Sequence, residues 1–342
     1  MPATQGEVFL PQRLFPGSKR SKGSEIVQSQ GLGQWAYGSR RGGSPVEPPA
    51  LRRRPGRMSR VRVHILGVRG STPAPGPAFV RYGGHTSCLA LAHDGEAPSL
   101  LIDAGTGIRR VSALLEGKPF VGTVLLGHLH WDHTQGLPFF RAGDSPGAEV
   151  ALFAPAQPDG EVGTVLSRAM SPPHFPITPA ELRGHWTFSG LEPGEVEMGG
   201  FRVAAREIPH KGGRTFGYRI SDGRATLAYL SDHCPTSLGP GPDGLGARHE
   251  AALSLTSDCD AVFHDGQYTD EELPAKAYFG HSSWGYALGL AEAAGAKSLV
   301  VYHHDPDRTD DQIDQVAAHY AGAKVSFEPA AEGGILHLGR RR

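Results

Sequence analysis

Three histidines and an aspartate lie within six residues, in the segment His128-Leu129-His130-Trp131-Asp132-His133. Imidazole nitrogen and carboxylate oxygen bind zinc, iron and manganese well at neutral pH. On an extended strand end, His128 and His130 point to one side, while Asp132 and His133 follow in the turn. One segment can therefore serve two adjacent metal ions. The spacing differs from the helical His-Glu-x-x-His pattern, which argues against a thermolysin-type site.

Hydrophobic periodicity indicates which elements must hold this segment in place. Residues 61–67 alternate as a strand does, and the largely apolar strand 122–126 leads directly towards His128. Further strands are predicted at residues 87–91, 99–103, 201–207, 216–220, 226–230, 261–264 and 298–302, and helices at residues 108–115, 284–294 and 311–321. Two successive halves of strands followed by helices predict an α/β fold with two sheets stacked between helices. The motif then lies at a strand end, where α/β proteins hold their active sites.

The composition is that of a soluble globular protein. The 342 residues include 47 Gly and 28 Pro, which predicts many turns, and a hydrophobic fraction of 39% is enough for a buried core. No apolar run approaches the ~18 residues of a membrane span, and the first residues lack the apolar segment of a secretory signal. Cys88, Cys234 and Cys259 are odd in number and lack metal-ligand spacing, so we expect neither a disulfide framework nor a cysteine zinc site. A reducing cytoplasm is the expected location.

The beginning of the chain differs from the rest in charge. Residues 1–60 contain eleven Lys or Arg and three Glu, whereas the following residues contain 23 basic and 32 acidic groups. Since this first segment shows neither strand nor helix periodicity, we expect a disordered, basic, Gly/Pro-rich tail over residues 1–58 and one folded domain over residues 59–342. Such a tail can bind nucleic acid or an anionic surface, serve as a solvated linker, or be sequence translated ahead of a start at Met58.

Further short segments accompany the histidine motif, at residues 67–71, 83–88, 103–107, 263–268, 280–283 and 303–306. With them, the chain resembles the metallo-β-lactamase fold superfamily from about residue 61 to residue 338. It is most similar to the phosphodiesterase branch, which contains ribonuclease Z and the cyclic-phosphate phosphodiesterase of phosphonate catabolism. One departure is His85, which stands where the branch has Asn in a Gly-Gly-Asn-Thr-Ser run.

This resemblance implies a four-layer αββα sandwich and a dinuclear metal centre. One ion would bind the side chains of His128, His130 and His210, the other those of Asp132, His133 and His303, and Asp232 would bridge them. The three distant ligands each follow a largely apolar strand, as expected of a site built at one sheet edge. His303 is favoured over His304 because it directly follows its strand. Asp103 resembles the early aspartate of the superfamily, which supports the metal-binding loop through hydrogen bonds.

The resemblance also implies hydrolysis by a hydroxide that bridges two Zn²⁺ ions, with Mn²⁺ or Fe²⁺ as alternatives. The expected catalytic residues are Asp132, His281 and Asp265. His281 precedes a predicted helix N-terminus, which favours an anion such as phosphate, and would assist the leaving oxygen beside Asp265. Alternatively, Ser282 or Ser283 caps this helix and His281 packs against it. The ligand set without Cys differs from that of true β-lactamases, and His130 stands where flavodiiron proteins have Glu.

The sequence favours a phosphodiesterase that acts on a cyclic nucleotide or another small cyclic phosphate. A ribonuclease Z-like nuclease is the main alternative. Nucleic acid is not the favoured partner, because no insertion rich in Lys, Arg and Gly lies between Asp132 and Asp232 and the folded part is acidic. A thioester or lactone hydrolase shares the same metal chemistry. A metal-binding regulator without turnover is disfavoured by the intact set of seven ligands.

Overall fold

The strands of the protein bury side chains on both faces. In the computed structural model, which describes residues 60–339, strand β1 (Val61–Gly67) is buried along most of its length. Val63 and Ile65 point into one hydrophobic core, and Leu66 points into another. This alternation at period two, with apolar groups on both sides, is typical of a strand covered on both faces. The tail expected over residues 1–58 lies outside the described residues.

The first sheet has seven strands in the order β14-β1-β2-β3-β4-β5-β6. After β1 its strands are β2 (Cys88–His93), β3 (Leu100–Ile102), β4 (Val121–Leu125), β5 (Glu149–Pro155), β6 (His185–Leu191) and β14 (Ile335–Leu338). Pairing is antiparallel from β14 to β3 and parallel from β3 to β6. The parallel half contains the strand that leads into the histidine motif.

The second sheet has seven strands in the order β13-β12-β11-β10-β9-β8-β7. These are β7 (Gly194–Met198), β8 (Phe201–Ile208), β9 (Thr215–Ser221), β10 (Thr226–Leu230), β11 (Ala261–Asp265), β12 (Ser298–Tyr302) and β13 (Ser326–Pro329). Pairing is antiparallel from β7 to β10 and parallel from β10 to β13. Each sheet thus joins an antiparallel half to a parallel half.

Short helices cover the outer faces of the two sheets. The α-helices are α1 (Val111–Leu114), α2 (Trp131–Thr134), α3 (Val162–Ser167), α4 (Glu250–Thr256), α5 (Leu273–Lys276), α6 (Trp284–Ala293) and α7 (Asp310–His319). Ser283 caps α6, since its side chain accepts a hydrogen bond from the Tyr286 N–H. Thr309 and Gln312 form a capping box at the start of α7. None of the helices within residues 60–339 has the length and apolar character needed to cross a bilayer.

Three hydrophobic clusters define the layers. The largest lies between the sheets and includes Val63 and Ile102 from the first sheet and Val203 and Tyr229 from the second. A second cluster joins the first sheet to α1 and α3. A third joins the second sheet to α4, α6 and α7. The arrangement is the expected α/β fold, a four-layer αββα sandwich.

Some predicted elements differ from those observed. The helix expected at residues 108–115 is a 3-10 helix, Thr106–Arg110, followed by the single turn α1. Strands β5, β6, β7, β13 and β14 were not predicted. β6 and β7 are edge or near-edge strands with half-buried and exposed residues, so their sequences lack the continuous apolar runs of the central strands.

Candidate metal centre

The ends of several strands converge on one point between the sheets. His128 follows β4, His210 follows β8 through Pro209, Asp232 follows β10 and His303 directly follows β12. The carboxyl ends of parallel strands lie at one edge of a sheet, where α/β proteins place ligands. This places residues from distant parts of the chain together at the sheet edges.

All seven predicted ligands lie together in two overlapping groups. The first ligand group comprises His128, His130, His210 and Asp232, and the second comprises Asp132, His133, Asp232 and His303. Within each group the candidate donor atoms lie within 4.8 Å of one another. The structure therefore brings together every residue that the resemblance implied as a metal ligand.

Asp232 belongs to both groups and divides its two oxygens between them. Its Oδ2 lies 3.5 Å from His128 Nε2 and 3.5 Å from His210 Nε2. Its Oδ1 lies 3.0 Å from His133 Nε2 and 2.9 Å from His303 Nε2. Each oxygen faces a different set of imidazoles, which is the geometry of a carboxylate that bridges two ions.

The burial and spacing of the imidazole nitrogen atoms in these groups are suited to binding a metal cation. Nδ1 and Nε2 of His128 are both buried without a hydrogen-bond partner among the described residues. A buried polar atom that lacks a partner is costly and indicates a ligand. The separations of 2.9 to 3.5 Å from Asp232 bracket the about 3.3 Å between ligands of a tetrahedral zinc ion with bonds of about 2.0–2.1 Å. The donor set, nitrogen and carboxylate oxygen, suits zinc, iron or manganese.

Asp103 orients His133 from behind, as expected. Its Oδ2 accepts a hydrogen bond from His133 Nδ1 at 2.6 Å and another from the Tyr229 hydroxyl, while its Oδ1 accepts from the Gly127 N–H at 2.8 Å. A partner at Nδ1 fixes the tautomer and leaves Nε2 as the donor towards the metal. The fully buried carboxylate thus holds both the ring of His133 and the loop that begins the motif.

Backbone conformation is unusual at three of these positions. Asp103, Asp232 and His303 have φ angles of 60°, 56° and 61°, in the left-handed region. A non-glycine residue held there costs about 1–3 kcal/mol, and such residues cluster at functional sites. Each lies at the end of a strand, so the left-handed conformation turns the chain sharply at the centre.

Burial and neighbouring charges set the protonation of the ligands. Burial lowers the pKa of His128 well below its usual value and that of His210 to about 4. Burial would raise the pKa of Asp232, but His303 and His133 hold it well below the usual range. Neutral imidazoles and ionised carboxylates are the states that bind a metal. Burial would lower the pKa of His133 and His303, but neighbouring carboxylates raise it, so a metal would displace protons from these two rings.

The side chain of His304 is bonded to the main chain of another segment, whereas that of His303 faces the candidate ligands. Its Nε2 donates to the carbonyl oxygen of Ala330 at 2.9 Å. Burial, with the charge of Arg69 nearby, lowers its pKa to about 3. His303 instead directs Nε2 towards Asp132 and Asp232. The geometry therefore agrees with the preference for His303 as the ligand.

His281 and Asp265 form a buried pair beside the ligands. Nδ1 of His281 lies 2.9 Å from Oδ2 of Asp265, and the side chain of His281 lines a cavity of about 510 Å³. We call this the central cavity; its walls also include His130, Asp132, His210 and Asp232. Asp265 is held by the main-chain N–H groups of Gln267 and His233, at 2.9 and 3.1 Å. The expected carboxylate partner of His281 is thus in contact with it.

Three histidines without any recognisable spacing in the sequence form a hydrogen-bonded row behind this pair. His233 Nδ1 lies 2.9 Å from His264 Nε2, and His233 Nε2 lies 2.8 Å from His249 Nε2. His264 Nδ1 donates to the carbonyl oxygen of Asp265 at 2.8 Å. Periodicity places His264 in a strand, but no local signal links it to His249. His174 is exposed and does not line the central cavity.

The other segments that carried the resemblance support the site from outside. Arg69 is fully buried and donates to the carbonyl oxygens of Gly83, Asp305 and Arg308. Ser71 donates its N–H to Asp132 Oδ2 at 2.7 Å. His85, the departure from the family pattern, contacts the Thr106 hydroxyl through Nδ1 at 3.1 Å. These contacts join loops that are distant in sequence around the ligands.

Fold and ligand groups together define a metallo-β-lactamase-fold protein. A family model described as the beta-lactamase superfamily domain matches residues 99–304, more than half of the chain. The chain belongs to this superfamily, as the resemblance implied, and the curated relatives that it matches are named ribonuclease Z. The protein is accordingly a metal-dependent hydrolase.

Curated relatives and solved structures are similar over most of the chain. Ribonuclease Z from Halobacterium salinarum is 24% identical over 332 residues, covering 80% of this chain and 92% of that protein. Ribonuclease Z from Salinibacter ruber is 25% identical over 259 residues, covering 64% and 79%. The short form of human tRNase Z has a TM-score of 0.57 at 19% identity, covering 82% of this chain and 99% of that one. A diphosphatase from the PhnP family has a TM-score of 0.59 at 18% identity, with coverages of 82% and 100%.

Proposed function

We propose that the protein is a dinuclear zinc phosphodiesterase that hydrolyses a cyclic nucleotide or another small cyclic phosphate. The observation that carries this proposal is the contact of His281 with Asp265, 2.9 Å apart, beside both ligand groups. Cleavage of a phosphodiester requires a proton for the leaving oxygen, and a positioned histidine is the side chain that most often supplies one.

Two divalent ions held by the two ligand groups would lower the pKa of a water molecule and neutralise charge on the phosphoryl group. The side chains perform the remaining steps. Asp265 accepts the Nδ1–H of His281, so the Nε2–H of the protonated ring donates to the leaving oxygen. The main-chain N–H groups of Gln267 and His233 keep the carboxylate of Asp265 in place. Asp265 thus positions His281, which touches the substrate.

The charge and size of the central cavity favour a small substrate over a long polyanion. Lys276 is the single Lys or Arg on its wall among the described residues, and it lies 3.3 Å from Asp305, which also lines the cavity. Proteins bind long nucleic acids by neutralising several phosphates. A volume of about 510 Å³ lies within the range of small-molecule sites.

A nuclease is the second candidate, and it is favoured by relatives named ribonuclease Z. The two candidates share the ligands and His281, and they differ in where the rest of the substrate binds. A thioester or lactone hydrolase would use the same metals but would not need His281 as an acid.

A substrate panel tests these proposals. Bis-p-nitrophenyl phosphate separates an enzyme from a metal-binding regulator, because a regulator leaves it intact. We expect kcat/KM to be higher for 2′,3′- or 3′,5′-cyclic nucleotides than for a tRNA precursor or a thioester. Preferred cleavage of the tRNA precursor would assign the protein as a nuclease. Metal analysis of protein prepared without chelator should find about two zinc ions per chain. We also propose a cytoplasmic location, supported by three cysteines that are all free and buried.

A further inference from the structure

An apolar groove of about 370 Å³ lies beside the central cavity. Its lining residues come from α2, the 3-10 helix Leu137–Phe139, α3 and the segment that follows α3. All of them are uncharged, and three, Trp131, Thr134 and Gln135, carry a nitrogen or oxygen atom in the side chain. Trp131 and Phe139 contribute exposed aromatic rings, with 73% and 53% of their surfaces accessible. Large exposed apolar patches of this kind mark binding sites.

Two of these three side chains, Thr134 and Gln135, already make one hydrogen bond each within the protein. The Thr134 hydroxyl donates to the carbonyl oxygen of His130 at 3.0 Å, and the amide nitrogen of Gln135 lies 3.3 Å from the Thr86 hydroxyl. A ligand in the groove therefore finds apolar surface and ring faces. Phe139 and Phe175 already meet there edge to face, with ring centroids 5.8 Å apart. Such a surface binds the face of an aromatic ring and leaves the polar edge of that ring in water.

Trp131 connects the groove to the metal centre, because its side chain lines both cavities. It lies between His130 and Asp132, one from each ligand group. When a phosphodiester binds with its phosphate at the candidate metal centre, one of its substituents can therefore extend along Trp131 into the groove. This continuity favours part of the substrate as occupant over a second copy of the chain.

We infer that the apolar groove binds an uncharged aromatic ring of the substrate, such as the base of a nucleotide, by stacking on Trp131. The inference rests on the proposed phosphodiesterase function and specifies its substrate further. Since the groove offers few hydrogen-bonding groups, it favours a ring and tolerates different bases. Stacking on an aromatic side chain is worth about 1–3 kcal/mol per base, or roughly 5- to 150-fold in affinity.

The test compares methyl, cyclohexyl and phenyl esters of p-nitrophenyl phosphate, which share one leaving group. We expect kcat/KM to rise about tenfold or more from methyl to phenyl, with cyclohexyl in between. Ala169→Trp, which fills the groove, should abolish this preference, and Trp131→Ala should reduce it, with Trp131→Phe restoring part of it. Ile335→Trp introduces the same side chain on exposed strand β14 and should keep the preference. Metal content is measured for each variant, because Trp131 lies between two ligands.

Binding without turnover separates this inference from the proposed function. Calorimetric titration with diphenyl, dicyclohexyl and dimethyl phosphate should show the same order of affinity, lost in Ala169→Trp. If no diester is hydrolysed but this order holds, the groove remains an aromatic site and the phosphodiesterase proposal fails. Equal affinity for diphenyl and dicyclohexyl phosphate would overturn ring stacking. A dimer in light scattering that Ala169→Trp converts to a monomer would assign the groove to a second copy of the chain and overturn the inference.

Discussion

Nδ1 of His210 donates a hydrogen bond to the main-chain carbonyl oxygen of Gly280 at 2.7 Å. Gly280 directly precedes His281, so this bond links a proposed metal ligand to the proposed general acid. Gly280 has a φ of 98°, in the region that favours glycine. A Cβ added there would lie 3.0 Å from His210 Nδ1. The metal ligands and the acid are therefore coupled through a single turn of the chain.

Replacing Gly280 should consequently disturb both parts of the site. We expect Gly280→Ala to lower metal content and kcat together, because the added methyl group presses on the ring of His210 and strains the turn before His281. Elemental analysis and kinetics with bis-p-nitrophenyl phosphate measure the two effects. Gly223→Ala is the matched control, since Gly223 has a φ of 85° but no atom within 4 Å of an added Cβ. Equal losses in both variants would assign the effect to backbone strain alone.

Asp232 is expected to hold both ions. Since Oδ1 and Oδ2 face different ligand groups, Asp232→Asn should lower the metal content of both sites and reduce the rate by orders of magnitude. Asp258→Asn provides a control, because Asp258 is exposed and has a similar φ of 51°. Quantitative metal titration checks the stoichiometry. Retention of one tightly bound ion would show that Asp232 serves a single site.

The resemblance in sequence implied the seven candidate ligands that the fold brings together, and the local context of several of them agrees with it. His128, Asp232 and His303 each follow an apolar strand that is buried by the fold, so periodicity and residue type point to the same place. The row formed by His233, His249 and His264 could not be predicted, because its members meet through tertiary packing of α4 against the second sheet. The missed strands β6 and β7 pack fewer apolar side chains, which weakens the periodic signal.

Substitutions at the adjacent residues His303 and His304 should show which of the two is a metal ligand and which has a structural role. We expect His303→Gln to lose metal, since its Nε2 lies 2.9 Å from the bridging carboxylate. His304→Gln should retain the metal but lower Tm, because His304 is fully buried and bonded to Ala330. Metal analysis combined with thermal unfolding distinguishes the two variants. The reverse pattern would make His304 the ligand.

Removal of the metal ions should destabilise the fold, and the affinity for the ions should depend on pH. A ligand that binds only the native state stabilises it by about 4 kcal/mol at 1,000 times its dissociation constant, so chelation should lower Tm markedly. Without an ion, burial would lower the pKa of His303, but Asp232 and Asp132 raise it to about 10. Protons then compete with the metal, so affinity should fall as the pH falls. Recovery of Tm with zinc, manganese or iron(II) tests the metal; an unchanged Tm on chelation would argue against a structural contribution of the ions.

The proposed role of His281 makes the most specific prediction. If Nε2 of His281 donates a proton to the leaving oxygen, His281→Ala should cost about 10²–10⁴ in rate for a cyclic nucleotide, the usual range for general acid catalysis. An activated p-nitrophenolate needs little protonation to leave. The same variant should therefore slow bis-p-nitrophenyl phosphate far less. His281 lies close enough to Asp265 and His303 to form a third group that could hold a metal, but its Nδ1 is bonded to Asp265, so we expect metal content to remain unchanged.

Asp265→Asn should show the same dependence on the leaving group more weakly, because Asp265 orients the ring from 2.9 Å and does not itself transfer the proton. His319→Ala, at an exposed histidine, is the control for loss of an imidazole and should keep both rates. Kinetics with both substrates separate the possible roles of His281. Equal slowing of both would indicate that His281 positions the substrate, and loss of metal would make it a ligand. Unchanged rates would show that His281 only packs in the structure. Its ring contacts that of Tyr268 edge to face, with the ring centroids 5.9 Å apart.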